Sequence, residues 1–553
     1  MPWALIRPCN PWPPSSGPIF AAFFDFCGQL LYCAQTLRGG HLKRLLSIVL
    51  SGAMTLSAAS CVFISQRVEV KPLDISQTTA VLSPVKAHLK DGSTIVYLNG
   101  VQISGGQLRG SGLRYDLSLA STPVDSVSLD EVVGMESFTT SVNGVQTAVV
   151  SSLASVGAVI GTVVLSAAIF GSCPTVYSAD GKIDEAELFS SSIAPLFEAR
   201  DIDSLQAQPG TDGTLRLEIR NEAMETHYIN HLQLIEVEHS SDESVVPDQL
   251  GHPTLLGAFT PATRVTNRSG ADVSAMFAAA DNRYYSTDRK TMDRATTADM
   301  DDWIDFSATV PTGAEQIAIA FRLRNSLLST TLLYDVMLGP AGAASIDWLG
   351  SNLARIDKAV ELGRWHRRRA GLHISVWQDG EYREVTRIPD SGPISWHDVA
   401  AVIPVPKGQT SLRLRLSFVA DHWRIDRMAV APVRSDPALR TLQIEQVVGA
   451  DGKLDSTARE SLRGPDDHYL QTTPGQKFFI DFRAGRSSEK SRTFLLSSQG
   501  YYTEWIRGSW IQSATVDKPF DPTDEAVLLA LKKWAANRDA FEQRFRTARV
   551  PVN

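Results

Sequence analysis

Three segments of the chain alternate strictly between apolar and polar positions. The apolar positions are Leu215, Leu217 and Ile219 in TLRLEIR; Ile317, Ile319, Phe321 and Leu323 in QIAIAFRLR; and Leu412, Leu414, Leu416 and Phe418 in SLRLRLSF. Successive side chains of a strand point to opposite faces, so each segment puts one face on a core and one in water. The pattern predicts antiparallel β-sandwich domains over 173–345 and 363–432, and a β-rich region over 433–518.

A second pattern predicts a small β domain nearer the start of the chain. Turn dipeptides Asp91-Gly92, Asn99-Gly100 and Gly105-Gly106 lie between short runs of β-branched and aromatic residues. Such dipeptides supply the positive φ angles that two-residue hairpins require. With a further strand over 124–133, we expect a barrel of the SH3-like or Sm-like type over 81–142, after a polar linker over 61–80.

Helical periodicity occurs in two places after residue 340. In DWLGSNLARIDKAVEL the residues Leu349, Leu353, Ile356 and Val360 fall on one stripe, which predicts a connecting helix over 346–362. The segment 519–553 reads as a final amphipathic helix, with Asp521 or Thr523 as its cap. The fold class is therefore mainly β with a C-terminal helix.

One apolar segment has neither pattern. Residues 147–171 carry no charge, and about 25 such residues suffice to cross a bilayer as a helix. We predict a transmembrane-like helix over 145–172, in which Gly157 and Gly161 form a GxxxG pair that favours homo-oligomers. The alternative is a buried helix of a soluble domain, rich in small residues.

Residues 41–60 resemble an export signal. Basic residues precede a short apolar run and then small residues before Cys61. The ending LSAASC resembles a bacterial lipobox, although Ala58 stands where the pattern prefers leucine, and it predicts a lipidated (palmitate-bearing) Cys61. The alternative is an ordinary leader followed by a chance cysteine. Residues 1–40 are then expected to be a misassigned N-terminal extension, or else a genuine extension before a signal anchor.

Composition narrows the function. The chain has 553 residues, 43% hydrophobic, and a formal net charge of −8, which argues against nucleic acid as the main partner. Of its five cysteines, only Cys173 would remain as a free thiol after cleavage and acylation at Cys61. An intramolecular disulfide is then excluded.

Several blocks after residue 80 resemble a group of uncharacterised bacterial envelope proteins. The blocks are SCPTVYSADG, SIAPLFEARDIDSL, RLEIRNEAMETHYINHLQLIEVEH, RLRNSLLSTTLLYDVML and SSQGYYTEWIRGSW. The resemblance implies a lipoprotein-type leader, a small β domain and a charge-free apolar helix before a Ser-Cys-Pro-x-Val-Tyr segment. It implies no catalytic residue.

The chain contains none of the common catalytic or cofactor motifs. There is no GxSxG, HExxH, CxxC, P-loop or GxGxxG sequence, so we predict no catalytic residue, metal or cofactor. The His227/His231 pair and the acidic run at 299–305 are incomplete metal patterns. Asp421 and Asp426 are the best candidates for the paired carboxylates of a hydrolase, although a turn before a strand explains them better.

Two sites could bind a ligand. Arg364, Trp365 and Arg367 in GRWHRRR could hold lipid phosphate, unless the run is a charged loop between a helix and a strand. Trp396, with His397 and Asp398 beside it, could stack a sugar as in jelly-roll carbohydrate-binding modules, unless the indole is part of the core.

The leading prediction is a non-enzymatic, membrane-anchored envelope lipoprotein that acts as a scaffold or binding protein. The outer membrane is preferred over the inner membrane, because Val62 rather than Asp follows Cys61. The alternatives are a carbohydrate- or glycolipid-binding protein and a carboxylate-based hydrolase.

Overall fold

The computed structural model confirms that the protein is mainly β. It describes residues 78–116, 120–138, 174–434, 436–485, 490–517, 520–547 and 549–552. The predicted leader, Cys61, Cys173 and the apolar segment with Gly157 and Gly161 lie outside the described residues.

Residues 79–137 form a single antiparallel sheet that a distant segment extends. Its strands are β1 (Thr79–Val81), β2 (Val85–Leu89), β3 (Thr94–Tyr97), β4 (Val101–Ser104), β5 (Gln107–Tyr115), β6 (Ser121–Ser128) and β7 (Val132–Ser137). The glycines of all three predicted turns have positive φ. Beyond β7 the sheet continues with Ile506–Arg507. The predicted SH3-like or Sm-like barrel is not confirmed, and the strand expected over 124–133 is two strands separated by a 3-10 turn, Leu129–Glu131.

The rest of the described chain contributes twenty-two further strands in chain order. They are β8 (Thr175–Ser178), β9 (Ile183–Glu187), β10 (Ala199–Leu205), β11 (Thr214–Arg220), β12 (Glu225–His239), β13 (Ser244–Pro247), β14 (Pro253–Leu256), β15 (Thr260–Pro261), β16 (Thr263–Asn267), β17 (Asp301–Thr309), β18 (Gln316–Asn325), β19 (Leu372–Gln378), β20 (Glu381–Ile388), β21 (His397–Pro404), β22 (Ser411–Val419), β23 (Trp423–Pro432), β24 (Leu439–Leu442), β25 (Ile444–Gly449), β26 (Leu470–Thr472), β27 (Lys477–Arg483), β28 (Ser491–Glu504) and β29 (Ile506–Arg507).

Most of these strands build two sandwiches, one inserted in the other along the chain, while β13 and β14 pair as a separate two-stranded sheet. The outer sandwich pairs the sheet β10-β28-β12-β24, with β26 on β12, against the sheet β25-β27-β11-β8-β9. The inner sandwich pairs β15-β23-β18-β21 against β16-β17-β22-β19-β20. The three alternating segments are β11, β18 and β22, and their predicted apolar faces are buried in these cores.

The strand pairing does not follow the boundaries that the sequence suggested. A division at residues 345 and 363 separates β18 from β21 and β23, yet β18 is hydrogen-bonded to both. Likewise the β-rich region over 433–518 supplies half of the outer sandwich, because β28 lies beside β12 over its length. Alternation identifies strands but not their partners, and partners here are up to a few hundred residues apart.

The helices are short except for two. They are α1 (Arg289–Arg294), α2 (Leu328–Thr331), α3 (Gly339–Ala341), α4 (Ala344–Asp347), α5 (Ile356–Ala370), α6 (Ser456–Ser461), α7 (Gly508–Gln512) and α8 (Asp524–Thr547), with π-helical turns Leu332–Leu338 and Trp348–Asn352 and 3-10 turns Pro195–Phe197 and Ser274–Met276. The predicted C-terminal helix is α8, and the Thr523 hydroxyl accepts the Ala526 N–H at 3.3 Å as its cap. Across the ranges that the structure describes, none of the helices has the length and apolarity to span a membrane.

The connecting helix predicted over 346–362 is wrong in its bounds and in the residues that it was expected to bury. Leu349 and Leu353 are buried, but the extended backbone at Arg355 interrupts the helix and α5 begins afresh at Ile356. Ile356 is 73% exposed and Val360 41% exposed. The GRWHRRR run is therefore the second half of α5 rather than a loop.

Candidate functional site

The clearest candidate site is a cavity of about 720 Å³ between α5, α8 and the helical turns after β18. Small-molecule sites typically measure about 300–1,000 Å³ and are mostly apolar. The walls are built mainly from aliphatic and aromatic side chains: Ile193, Phe197, Leu328, Leu333, Met337, Leu362 and Val527. The space is of the right size and polarity for an apolar or amphiphilic molecule.

Two helical segments supply part of these walls. The segment after β18 forms α2 and a π-helical turn, which presents Leu332, Leu333 and Met337 on the cavity side. From α5 the buried face contributes Leu362, Gly363 and Trp365.

The polar part of the cavity wall is Asp390 between two histidines. His366 Nε2 lies 3.5 Å from Asp390 Oδ2, and His422 Nε2 lies 3.4 Å from Asp390 Oδ1. The three residues come from α5, from the loop after β20 and from the turn before β23. They meet only because the inner sandwich packs against the helix.

The electrostatics of Asp390 are set by opposing effects. Burial disfavours its charged form, since its side chain is 9% exposed. Hydrogen bonding and positive charge from His366 and His422 outweigh burial and hold the pKa of Asp390 far below its usual value. Oδ1 lies 3.4 Å from His422 Nε2 and has almost no exposed surface. Asp390 therefore contributes negative charge to the cavity wall beside the two histidines.

A serine lies beside this pair without forming a catalytic triad. Ser329 Oγ is 3.5 Å from His422 Nε2, the same nitrogen that approaches Asp390. A triad needs the serine and the carboxylate on different ring nitrogens, so that the base can take a proton while the acid orients it. The geometry does not favour nucleophilic catalysis here.

Glu187 forms part of the cavity wall and belongs to a buried acidic cluster. Its Oε2 accepts the N–H groups of Ile394 and Ser395 at 2.8 and 3.3 Å. Asp203 Oδ1 lies 2.9 Å from His397 Nδ1. Burial raises the pKa of Glu187 to about 7.

The same cluster shifts the pKa values of two more of its members. Burial, with the nearby charge of Asp203, raises the pKa of Asp201 to about 7. Burial alone would lower the pKa of His397, but the carboxylates around it raise it to about 9. The cluster joins the outer sandwich to the inner one next to the cavity.

Exposed residues among the lining mark the mouth of the cavity. They are Ser191, Leu196, Ala199, Leu250, Arg367 and Pro389. Leu196 is 48% exposed and Leu250 is 72% exposed, so the rim is mostly apolar with one exposed cation.

The structure brings part of the predicted phosphate site to this cavity. Arg367 is exposed at the mouth, whereas Trp365 is 5% exposed and lines the wall. Arg364 is exposed one turn earlier on α5 and does not line the cavity. Phosphate binding by these residues stays a prediction.

The predicted sugar site is divided between two faces. His397 points inward to Asp203, and Asp398 accepts a hydrogen bond from Arg427 at 2.7 Å. Trp396 is half-buried, with the Arg324 guanidinium 5.0 Å from its ring centre. A sugar could stack on that ring face only if Arg324 moved, and sugar binding also stays a prediction.

The proposed carboxylate pair has two separate structural environments. Asp421 accepts hydrogen bonds from Arg424 and from Trp534 Nε1, each at 2.7 Å. Asp426 accepts the Asp281 N–H at 3.2 Å, and burial raises its pKa. Each has its own partners, and neither lines the cavity.

The incomplete metal patterns stay incomplete. His227 and His231 both lie inside β12 rather than at its start, and His227 Nε2 is 2.8 Å from Glu225 Oε1. Within the described ranges, no group of three or more histidine, cysteine or carboxylate side chains is arranged to hold a metal ion.

Comparison with known proteins adds no identity to this geometry. No protein-family model matches the chain, and no curated protein is significantly similar to it. The functional argument therefore depends on the site itself.

Sequence reasoning missed Asp390, His422, Ser329 and Glu187. They lie 32 to 235 residues apart with no common motif, and each stands alone in its own segment. The only local signal was His366 inside GRWHRRR.

Proposed function

We propose that the chain is a non-enzymatic binding protein of the bacterial envelope, whose cavity holds an apolar or amphiphilic small molecule. The cavity of about 720 Å³ with its apolar walls supports this proposal. A hydrocarbon chain gains about 0.8 kcal/mol per buried methylene. About ten methylenes would then offset a typical cost of association and leave useful affinity.

The polar groups suit the head of such a molecule. Asp390 places a carboxylate in the cavity wall, and Arg367 offers a cation at the mouth. Between them an amphiphile would place its tail against Leu328, Leu333 and Met337.

Anchoring in the envelope is the other half of the proposal. It depends on the lipobox-like ending at Cys61 and on the charge-free segment 147–171. We propose lipidation at Cys61, a membrane helix over 145–172, an outer-membrane location and SH3-like or Sm-like closure of the small sheet. These are supported by sequence pattern alone.

The cavity can be tested by filling it. Leu333→Trp places an indole in the space from a half-buried position. We expect at least tenfold weaker binding of a dansyl-labelled fatty acid, measured by fluorescence titration of the full chain. The matched control is Leu529→Trp on the exposed face of α8, where Leu529 is 49% exposed.

Two results would contradict the proposal. The unchanged protein would fail to bind the probe at micromolar concentration, or Leu333→Trp and Leu529→Trp would bind it equally well. Circular dichroism spectra of both variants check that the fold is retained.

A further inference from the structure

The outward face of α5 carries an unusual stripe. Ile356, Val360, Arg364 and Arg367 are spaced by four, four and three residues, so they share one side of the helix. All four are exposed, Ile356 by 73% and Val360 by 41%. We call these four residues the α5 stripe. Two exposed aliphatic side chains followed by two arginines on one helix face are not explained by packing within the chain.

The arginines of the α5 stripe differ from the other cations of the helix. Arg355 binds Asp357, Lys358 binds Glu361, and Arg369 binds Asp524. In the part of the chain that the structure describes, no carboxylate lies within ion-pair distance of Arg364 or Arg367. Their charge is therefore available to an outside partner.

The α5 stripe is continuous with the cavity mouth. A Cβ atom at Gly363 would lie 3.5 Å from the Phe197 ring and 3.6 Å from Arg367 Nη1. The turn Pro195–Phe197 therefore packs against α5 near Arg367, and its exposed Leu196 lines the same cavity mouth as Arg367. Leu250 adds a second exposed leucine at the same mouth.

We infer that the α5 stripe and the mouth leucines form a docking surface for an anionic lipid bilayer. Helices that lie in the headgroup region combine an apolar side with arginines or lysines. Each arginine near an anionic surface contributes about 1 kcal/mol, and the leucines add apolar burial.

Charge complementarity selects this face. The whole chain has a net charge of −8, so an anionic surface repels most of it. At the α5 stripe, in contrast, two arginines that have no carboxylate partner among the described residues stand beside exposed aliphatic side chains. This inference does not require the cavity to hold any particular ligand. It predicts that the cavity mouth faces the lipid bilayer.

The test measures the environment of one labelled position. In the full chain, with the native cysteines replaced by serine, Val360→Cys is labelled with a nitrobenzoxadiazole dye. Vesicles of phosphatidylcholine are compared with vesicles that also contain phosphatidylglycerol. We expect about a twofold rise in emission with a blue shift on the anionic vesicles, reversed by salt and by the double change Arg364→Glu and Arg367→Glu.

The control label is Leu454→Cys, in a hairpin turn where Leu454 is 70% exposed. No response at residue 360 would overturn the inference and leave this face to a protein partner. An equal response at residue 454, or one that neutral vesicles reproduce and charge reversal leaves unchanged, would also overturn it.

A second variant separates this inference from the proposed function. Ile356 does not line the cavity, so Ile356→Asp should abolish the vesicle response and leave fatty-acid binding in vesicle-free solution unchanged. Loss of the vesicle response in Leu333→Trp, with Ile356→Asp still responding, would overturn the docking surface and leave the cavity proposal untouched.

Discussion

Two buried aspartates, Asp421 and Asp390, lie close together in the fold and are held in different ways. Asp421 is fully buried and accepts hydrogen bonds from Arg424, Trp534 Nε1 and the Thr287 N–H at 2.7 to 3.0 Å. Asp390 is approached by two histidines, at 3.4 and 3.5 Å, and lines the cavity.

The difference separates a structural carboxylate from a candidate functional one. Arg424 cannot lose its proton, and Asp421 at 2.7 Å together with Glu542 at 3.6 Å supplies the negative charge that its burial requires. Asp390 is approached by two histidines at longer distances, so we expect the loss of its charge to cost less.

The largest effect is expected at Asp421. Asp421→Asn removes the closer charge partner of the buried Arg424, leaving Glu542 at 3.6 Å, and weakens the contact to Trp534 of α8, so we expect a loss of about 3 kcal/mol in unfolding free energy. Urea denaturation measures it. Asp451→Asn, an exposed aspartate paired with Lys453, is the control, with a change below about 0.5 kcal/mol. If Asp421→Asn and Asp451→Asn were equally stable, the structural role assigned to Asp421 would be wrong.

The acidic cluster at Glu187 should make stability depend on pH. The pKa of Glu187 is raised to about 7 in the folded chain, whereas an unfolded glutamate ionises near 4.3. Its contribution is therefore full at acid pH and declines as pH rises from about 4 to 7. His397, raised to about 9, contributes fully below about 6.5 and loses its contribution as pH rises through 9.

Glu187→Gln isolates the effect of this charge on stability. It keeps a side-chain oxygen for the N–H groups of Ile394 and Ser395 and removes the ionisable group. We expect the variant to be more stable than the unchanged chain by roughly 1–3 kcal/mol at pH 9 and similar to it at pH 5. Urea denaturation at both pH values measures this. If the variant were destabilised equally at both pH values, the charge of Glu187 would not be the cause of the pH dependence.

A smaller effect is expected at Asp390. Asp390→Asn removes the charge that the two histidines face, and we expect it to cost about 1 kcal/mol in unfolding free energy at pH 8, measured by urea denaturation. The pKa of Asp390 is lowered in the folded chain, so its own contribution is present above about pH 4 and is lost below it. A loss as large as that of Asp421→Asn would erase the distinction between the two aspartates.

The smallest effect is expected on the α5 stripe. Ile356→Asn and Arg364→Ala change exposed side chains, and we expect less than about 0.5 kcal/mol from either in thermal or urea unfolding. A larger loss would show that the α5 stripe packs against part of this chain, which would contradict its role as a docking surface.

The sequence predicted strands well because period-two alternation is a local consequence of a half-buried sheet. Leu215, Ile319 and Leu414 were each placed correctly on a core face. Strand partners were not predictable, since β12 pairs with β28 across about half of the described chain and nothing local encodes that choice.

The candidate site was predicted only in part for the same reason. Arg367 was found because it lies in a run of arginines, and the run was assigned to a loop because the break at Arg355 was not visible in the pattern. Asp390 and His422 have no neighbours of similar chemistry in the sequence, so only tertiary packing brings them together with His366.

The pairing of β29 with β7 has a consequence for biogenesis. Ile506 is hydrogen-bonded opposite Met135, and the neighbouring Trp505 stacks on His88 with ring centres 3.8 Å apart. During synthesis the first sheet therefore emerges from the ribosome long before its last strand exists, and β7 waits as an open edge. We expect this exposed edge to be prone to pairing with other chains until the final segment arrives.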